Sequence, residues 1–301
     1  MSAGQEDEAE IEASRAPLLD HLVELRRRLI VCVAALIVGF LLCFAFATQL
    51  YVFLLAPMER ASALLAVQRA SGHHGPFDLL LAMTGLKSLA GVHTQPVHFI
   101  FTAPLEFFFV KVKLAAFGAV AISFPVLAWQ LYRFVAPGLY RRERRAFLPF
   151  LLASPVLFIL GAALVYFVML PFVLWFALNQ QIGANAGISV ELLPKVEDYF
   201  SLVLTLLLGF GLCFQMPVVL ALMGMAGLVN SRFLRSGRRY AIVIVFVVAA
   251  VVTPPDPISM MSLALPGLLL YEISILCVWL IERRRAREDA AADAAEAAGS
   301  A

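Results

Sequence analysis

The segment LIVCVAALIVGFLLCFAFA at positions 29–47 is 19 residues long, carries no charged side chain, and directly follows the basic segment HLVELRRR at positions 21–28. A helix needs about 20 apolar residues to cross the hydrocarbon core of a bilayer. A run of this length beside a cluster of arginines is typical of a membrane-spanning helix that begins at the basic surface. The segment therefore predicts an integral membrane protein.

The rest of the chain has the same character. Hydrophobic residues make up 62% of it and charged residues 15%, with a mean hydropathy of +0.89, which is too apolar for a soluble domain. The runs do not alternate apolar and polar residues as a membrane β-barrel would, so the predicted fold is all-α. Six transmembrane helices are predicted, at about Leu29–Ala47, Leu105–Leu127, Phe147–Leu170, Tyr199–Ala226, Tyr240–Thr253 and Ile258–Ile281.

Prolines and one short span indicate that the helices do not form a regular cylinder. Four spans contain a proline, at Pro125, Pro155, Pro217 and Pro266, and a proline kinks a helix by removing a backbone donor. The fifth span has 14 residues and reaches only about 21 Å, short of a hydrocarbon core of about 30 Å. We expect a kinked, concave bundle, in which either the connection after this span lies below the outer surface or the bilayer is thinned locally to meet it.

The basic residues predict the orientation. Seventeen of the 23 Lys and Arg lie before span 1, between spans 2 and 3, between spans 4 and 5, or after span 6. The segments on the opposite side hold four, which are Arg60, Arg69, Lys87 and Lys195. Because basic loops stay in the cytoplasm, both termini are expected to be cytoplasmic. The chain is therefore expected to cross a membrane several times, with both ends on its cytoplasmic side.

Residues 18–282 are predicted to form one membrane domain between two disordered cytoplasmic tails. The tails, residues 1–17 and 283–301, are rich in alanine and acidic residues. The first seventeen residues are acidic and polar and lack the basic n-region of a signal peptide, so no cleaved signal peptide is predicted. On the outer side, residues 77–89 are expected to form an amphipathic helix that does not cross the bilayer.

Polar side chains within apolar spans are candidates for function because burying them is costly. Glu272 in span 6 is expected to be neutral and hydrogen-bonded, paired with a cation, or in contact with a wet cavity. Gln215 in span 4 is either an interhelical hydrogen-bonding group or part of a site. Lys111 and Lys113 lie near the outer end of span 2, where a lysine side chain extends to the surface.

The sequence offers no catalytic constellation, and we predict that the protein is not an enzyme. None of the five histidines has the HExxH spacing, and neither GxSxG nor a Walker-type phosphate loop occurs. The four cysteines, Cys32, Cys43, Cys213 and Cys277, lie in apolar runs without CxxC spacing and are expected to be packing residues. No metal, cofactor or nucleic-acid partner is predicted. A proton-coupled secondary transporter of a small solute remains an alternative function, although no internal repeat is evident.

Two glutamates stand among arginines on the predicted cytoplasmic side, Glu24 in HLVELRRR and Glu143 in RRERR at positions 141–145. A carboxylate accepts two parallel hydrogen bonds from a guanidinium, a geometry that an ammonium group cannot match. The pair is therefore suited to recognising adjacent arginines of a ligand. Ordinary helical pairing, as between Glu24 and Arg28, is an equally good explanation from the residues alone.

Three motifs resemble the TatC family, the multispanning subunit of the twin-arginine protein translocase. They are DHLVELRRRL at positions 20–29, FPVLAWQLYRFVAPGLYRRERR at positions 124–145, and TPPD at positions 253–256. They occur in this order in a chain with six predicted spans, and the resemblance extends over about residues 17–285. It implies the family's fold and a role in protein transport.

The resemblance implies that Glu24 and Glu143 bind the paired arginines of signal peptides on folded cargo, with Arg26 and Phe134 shaping the same cytoplasmic site. It implies the small single-span partners TatA and TatB, self-association in a receptor complex, and transport powered by the protonmotive force. The outer ends of spans 5 and 6, with Thr253 and Asp256, would contact partners.

The chain departs from the family pattern in three places. Many family members have a glutamate where this chain has Gln215, so a proton-linked role at that position is in doubt. Met260 occupies a position that is often polar, and the first outer loop is longer by the stretch around residues 69–90.

Overall fold

A computed structural model describes residues 3–71, 99–100, 102–135, 143–180, 193–253 and 257–299. The described residues are helical and include no β-strand; one isolated parallel bridge joins Ile100 to Lys195. The helices are α1 (Ala3–Ala45), α2 (Ala47–Ser71), α3 (Glu106–Val135), α4 (Glu143–Leu164), α5 (Leu170–Asn179), α6 (Val196–Cys213), α7 (Met216–Met225), α8 (Ser231–Ser236), α9 (Arg238–Val252) and α10 (Pro257–Gly299). A π-helical segment, Val165–Met169, joins α4 to α5.

Five helical stretches are long and apolar enough to cross a membrane, and they correspond to predicted spans 1, 2, 3, 4 and 6. They are Leu22–Ala45, Glu106–Phe134, Leu152–Asn179, Val196–Met225 and Met260–Arg287. The predicted fifth span corresponds to α9, whose 15 residues make it only about 22 Å long. The all-α membrane fold is therefore confirmed, while the sixth crossing stays a prediction.

The predicted kinks occur in two of the spans. The stretch Val196–Met225 is interrupted at Phe214 and Gln215, immediately before Pro217, and separates into α6 and α7. The stretch Leu152–Asn179 contains the π-helical segment, which is a local widening of the helix. A groove of about 680 Å³ separates α4 from α10, with Phe214 and Pro217 among its lining residues. The described bundle is thus kinked and concave, as the prolines predict.

Helix α2 lies in the long connection predicted to be on the outer side, where no helix was predicted before residue 77. Its Leu54, Met58 and Ala61 are fully buried in the largest apolar cluster, together with residues of α3, α5 and α6. Pro57 inside α2 has no N–H and leaves the carbonyl of Phe53 without its helical donor. The hydroxyl of Tyr166 donates to that carbonyl at 2.7 Å, and the hydroxyl of Tyr199 donates to the next carbonyl, of Leu54, also at 2.7 Å.

Helices α1 and α3 pack in antiparallel directions through small residues. A Cβ added at Gly118 would lie 2.6 Å from Cys43 Sγ, and one added at Gly39 would lie 3.2 Å from the Ala119 backbone. Ser123 Oγ donates to the carbonyl of Ala35 at 2.8 Å. Ala35 in α1 contacts Ser123 in α3, whereas the later residue Cys43 contacts the earlier residue Gly118. The two helices therefore run in opposite directions. The two helices therefore approach closely only because glycine occupies the crossing.

Some predictions concern residues that the structure describes only in part. Helix α1 begins at Ala3 and α10 ends at Gly299, so both helices extend into the segments predicted to be tails. Alanine and glutamate are strong helix formers, in keeping with this extension, and disorder of the tails stays a prediction. The predicted outer helix at residues 77–89, Asp256 and the side chain of Glu143 lie outside the described residues.

Candidate functional site

The helix contacts define two ends of the bundle. We call the end formed by α2 and the starts of α3 and α6 the cap end. We call the opposite end, which carries residues 22–28, 133–134, 225–240 and 282–287, the basic end. Helix α4 runs antiparallel to α6, because Ser154 is hydrogen-bonded to Gln215, whereas a Cβ added at Gly161, later in α4, would lie 2.9 Å from the earlier carbonyl oxygen of Phe210. The beginning of α4 therefore also belongs to the basic end.

At the basic end, Glu24 forms an ion pair with Arg28 one helical turn later. The Glu24 side chain is 37% exposed and that of Arg28 is 15% exposed, so the carboxylate keeps access to solvent while its partner is largely covered. A carboxylate has about four lone-pair positions and can accept from more than one donor. Arg26 is exposed on the same helix.

The contact between α1 and α3 brings Glu24 and Phe134 to the same level. Glu24 lies 11 residues before Ala35, and Phe134 lies 11 residues after Ser123, the residue that is hydrogen-bonded to Ala35. In antiparallel helices both are then about 16 Å from that contact in the same direction. Phe134 is half-buried near the end of α3. These two residues, predicted from separate motifs, therefore lie at the same level at one end of the bundle.

Glu143 is the first residue of α4. Phe124 of α3 stacks on Phe158 of α4, with ring centroids 4.3 Å apart. Glu143 precedes Phe158 by 15 residues, and Phe134 follows Phe124 by 10. The backbone of Glu143 is therefore near the level of Phe134, about 7 Å further along the helix axis.

Gln215 connects two spans by a reciprocal pair of hydrogen bonds. Ser154 Oγ donates to Gln215 Oε1 at 2.6 Å, and Gln215 Nε2 donates to the carbonyl oxygen of Ser154 at 2.9 Å. The amide lies at the break between α6 and α7, where the regular backbone pattern is interrupted. Gln215 therefore acts as an interhelical hydrogen-bonding group beside the kink.

Glu272 is paired with a cation, one of the three states expected for it. Arg238 Nη2 donates to Glu272 Oε2 at 2.6 Å, and about half of each side chain is exposed. At the other end of α9, Thr253 is buried and its hydroxyl donates to the carbonyl of Ala249 at 2.8 Å. Glu272 and Thr253 are therefore at opposite ends of α9.

The structure also contains a buried acid that the sequence analysis missed. Glu106 is 6% exposed at the cap end. Its Oε2 accepts hydrogen bonds from the backbone N–H groups of Thr102 at 2.7 Å and Ala103 at 3.2 Å, and its Oε1 accepts from the N–H of Glu197 at 3.2 Å. One carboxylate thus satisfies donors at the start of α3 and of α6. The sequence feature that could have indicated this role is the position of Glu106 at the start of a predicted apolar helix.

Further contacts hold the cap end together. Ile100 N donates to the carbonyl of Pro194 at 3.2 Å and Val196 N to the carbonyl of Ile100 at 3.0 Å, so the segments before α3 and α6 are joined. Lys113 Nζ lies 2.6 Å from Glu197 Oε1. Lys113 therefore forms an ion pair at this surface, in keeping with the prediction that its amine extends outward.

The fold and these contacts define an all-helical, multi-pass membrane protein with a braced cap end and exposed acidic and basic groups at the other end. A family model described as Sec-independent protein translocase protein (TatC) matches residues 20–266. The chain belongs to the TatC family, whose members are components of the Sec-independent protein translocase, a role in transport rather than catalysis.

Individual relatives agree with this assignment. The chain is 40% identical over 284 residues to a TatC protein of Magnetococcus marinus, covering 94% of this chain and 92% of the relative. It is 36% identical over 269 residues to one of Aquifex aeolicus, covering 89% and 97%. A crystal structure titled as the twin arginine translocase receptor TatC superposes with a TM-score of 0.65 at 35% identity, covering 86% of this chain and 98% of that one.

Proposed function

We propose that this protein binds the twin-arginine signal peptides of folded proteins at its basic end and supports their transport across a bacterial inner membrane. In this proposal the basic end is cytoplasmic, the chain crosses six times, and both termini are inside. TatA- and TatB-type single-span subunits and further copies of this chain complete the complex. The protonmotive force drives transport.

The observation that carries the proposal is the meeting of two separate motifs at one level of the bundle. Glu24 and Phe134 are equally far from the contact between Ala35 and Ser123, and α4 starts at Glu143 at the same end. Two carboxylates there would each accept a guanidinium of the ligand. The half-buried ring of Phe134 offers apolar contact beside them, and the exposed Arg26 adds positive charge that helps keep Glu24 ionised.

The alternative of a proton-coupled solute transporter has less support. Such a protein is expected to hold ionisable substrate ligands near the middle of the membrane. Here Glu272 is half-exposed and paired with Arg238, and Gln215 is bonded to Ser154 through both of its polar atoms. Uptake of a small solute by the purified protein without partner subunits would favour this alternative.

Site-specific crosslinking tests the proposal. A photoreactive group beside the paired arginines of a signal peptide should react with the wild-type chain in membranes, and Glu24→Gln or Glu143→Gln should reduce the yield at least tenfold, because each removes a charge-assisted contact of about 1.5 to 3 kcal/mol. Glu197→Gln removes an exposed carboxylate at the cap end and is the matched control. Unchanged yield in both Glu24→Gln and Glu143→Gln would reject the site.

A further inference from the structure

A second surface of the basic end, separate from the acidic pair, is formed by α8 and the start of α9. Helix α8 is fixed on α10 by its buried side. Leu234 is 5% exposed and packs with Ile275 and Val278, and the hydroxyl of Tyr271 donates to the carbonyl of Leu234 at 2.8 Å. Ser231 donates through its N–H and its hydroxyl to Glu282. The opposite side of α8 is therefore held outward.

Hydrogen bonding continues from α8 into α9. Gly237 N donates to the carbonyls of Phe233 and Leu234 at 3.0 and 3.1 Å, and Tyr240 N and Ala241 N both donate to the carbonyl of Gly237 at 3.0 Å. Residues at i, i+3 and i+7 lie on one side of such a helical path. The arginines with this spacing, Arg232, Arg235 and Arg239, therefore form one exposed basic row.

The positive charge of this row is not balanced within the described residues. Arg238 pairs with Glu272, and the guanidinium of Arg239 lies 5.0 Å from the ring centroid of Tyr240. Neither Arg232 nor Arg235 forms an ion pair with a carboxylate of the part of the chain that the structure describes. Two or three guanidinium groups are therefore available for an external anion.

An exposed apolar strip continues the row along α9. Val243 and Val247 follow Arg239 at i+4 and i+8 and are 61% and 57% exposed. Two aromatic side chains flank the arginines, Phe233 at 66% and Tyr240 at 62% exposure. Exposed aromatic and basic residues at the end of an apolar helix are typical of the membrane interface.

We propose that Arg232, Arg235 and Arg239 bind the phosphate of an anionic phospholipid whose acyl chain lies along Val243 and Val247. The proposal rests on the cytoplasmic placement of the basic end given above. Guanidinium groups bind phosphate oxygens through paired hydrogen bonds, and basic groups between membrane helices on the cytoplasmic side attract anionic headgroups.

The geometry favours a lipid over an acidic peptide. A soluble peptide would use only the arginines, whereas this surface adds an apolar strip that points away from water. From Arg239 to Val247 the helix rises about 12 Å, close to the depth of one leaflet of a hydrocarbon core of about 30 Å. The far end of α9, where Thr253 lies, stays free for other partners.

Native mass spectrometry of the purified full-length chain tests the proposal. Phosphatidylglycerol is the probe, and phosphatidylcholine of the same chain length is the neutral comparison. The double variant Arg232→Gln/Arg235→Gln should lower the affinity for phosphatidylglycerol about 30-fold, since each basic residue near an anionic surface contributes about fivefold. It should leave binding of phosphatidylcholine unchanged.

The matched control is Arg283→Gln/Arg287→Gln, which removes two exposed arginines of α10 from the same end. This control should keep affinity within about threefold of wild type. Arg232→Lys/Arg235→Lys should bind more weakly than wild type because the paired hydrogen bonds are lost, but more tightly than the glutamine variant because the charge remains. Equal losses in the two glutamine variants would overturn the proposal, as would a lysine variant as weak as its glutamine counterpart.

Two further outcomes also count against the lipid site. A soluble peptide of residues 1–17 that displaces phosphatidylglycerol completely would identify an acidic segment as the occupant, and glycerol phosphate that binds as tightly as the lipid would exclude a role for the acyl chain.

Signal-peptide crosslinking is measured on the same variants. It should persist in Arg232→Gln/Arg235→Gln, so failure of the lipid site and failure of the proposed function are distinguished.

Discussion

The cap end and the basic end differ in how their charged groups are used. At the cap end, the buried carboxylate of Glu106 accepts hydrogen bonds from backbone N–H groups at the starts of two helices. Two tyrosine hydroxyls donate to the backbone carbonyls near Pro57. At the basic end, Glu24 is 37% exposed and bonded to a neighbour on its own helix. Internal hydrogen bonds therefore brace the cap end, whereas the Glu24 carboxylate at the basic end stays partly exposed to solvent.

The spans also differ in how much of their apolar surface is buried. In the most apolar 18-residue stretch of the span Leu22–Ala45, 11% is buried inside the protein. The corresponding buried share in the span Val196–Met225 is 44%. Helix α1 is thus held chiefly through its crossing with α3, while α6 is packed on several neighbours. We expect substitutions at the cap end to change stability, and substitutions at the basic end to change binding.

The largest effect on stability is expected from Glu106→Ala. It leaves the N–H groups of Thr102, Ala103 and Glu197 without their acceptor, and losing hydrogen bonds to a buried charge should lower the free energy of unfolding by about 3 kcal/mol. Reversible unfolding in mixed detergent micelles measures this. Glu197→Gln, which removes an exposed ion pair, is the control and should cost less than about 1 kcal/mol.

If Glu106→Ala were no more damaging than Glu197→Gln, the cap end would not depend on this carboxylate. The contrast between the two ends would then have to rest on apolar packing alone.

A smaller loss is expected from Gly118→Ala at the crossing of α1 and α3. Alanine normally stabilises a helix relative to glycine by about 1 kcal/mol, yet its Cβ would lie 2.6 Å from Cys43 Sγ. Overpacking should give a net loss of about 1 to 2 kcal/mol in the same unfolding assay. Adding Cys43→Ala removes the clashing sulfur and should restore part of the loss, whereas a net gain from Gly118→Ala alone would contradict the close approach.

Tyr166→Phe should cost about 1 kcal/mol of unfolding free energy because it removes the hydroxyl that serves the carbonyl of Phe53. Pro57→Ala supplies a helical N–H to that carbonyl. In the Pro57→Ala background Tyr166→Phe should therefore cost clearly less, and a double-mutant cycle measures the difference. Equal costs in both backgrounds would show that the tyrosine does not replace the donor that proline lacks.

The smallest effect on stability is expected from Arg28→Gln at the basic end. The pair with Glu24 is a helical i, i+4 interaction, which contributes a few tenths of a kcal/mol. The free energy of unfolding should change by less than about 0.5 kcal/mol. A loss above about 2 kcal/mol would mean that Glu24 and Arg28 brace the fold, which would weaken the assignment of Glu24 to ligand binding.

The sequence predicts the parts of this molecule that depend on local pattern. Apolar length alone gives five of the spans, with ends that are shifted by up to nine residues. Proline predicts the break beside Gln215. Glu24 and Glu143 stand out because an acid among arginines is a local feature. Their meeting with Phe134, however, follows from the register of α1 against α3, which one sequence does not encode locally.

What the sequence does not reveal depends on distant partners. In the sequence, Glu106 is an ordinary acidic residue near the start of a helix. Its structural role depends on the N–H of Glu197, which is 91 positions away in the chain. Helix α2 combines moderate apolarity with Pro57, Glu59 and Arg60, so neither its apolar length nor its composition marks it as a core element. Its burial depends on the two tyrosines and the apolar faces of α5 and α6.

The most direct test of the central claim compares peptides rather than variants alone. Affinities of a twin-arginine and a twin-lysine signal peptide are measured for the reconstituted wild-type chain and for Glu24→Ala/Glu143→Ala. Because paired hydrogen bonds to carboxylates distinguish guanidinium from ammonium, wild type should prefer arginine by at least about tenfold and the double variant should bind both weakly and equally. An undiminished preference for arginine in the double variant would contradict the account.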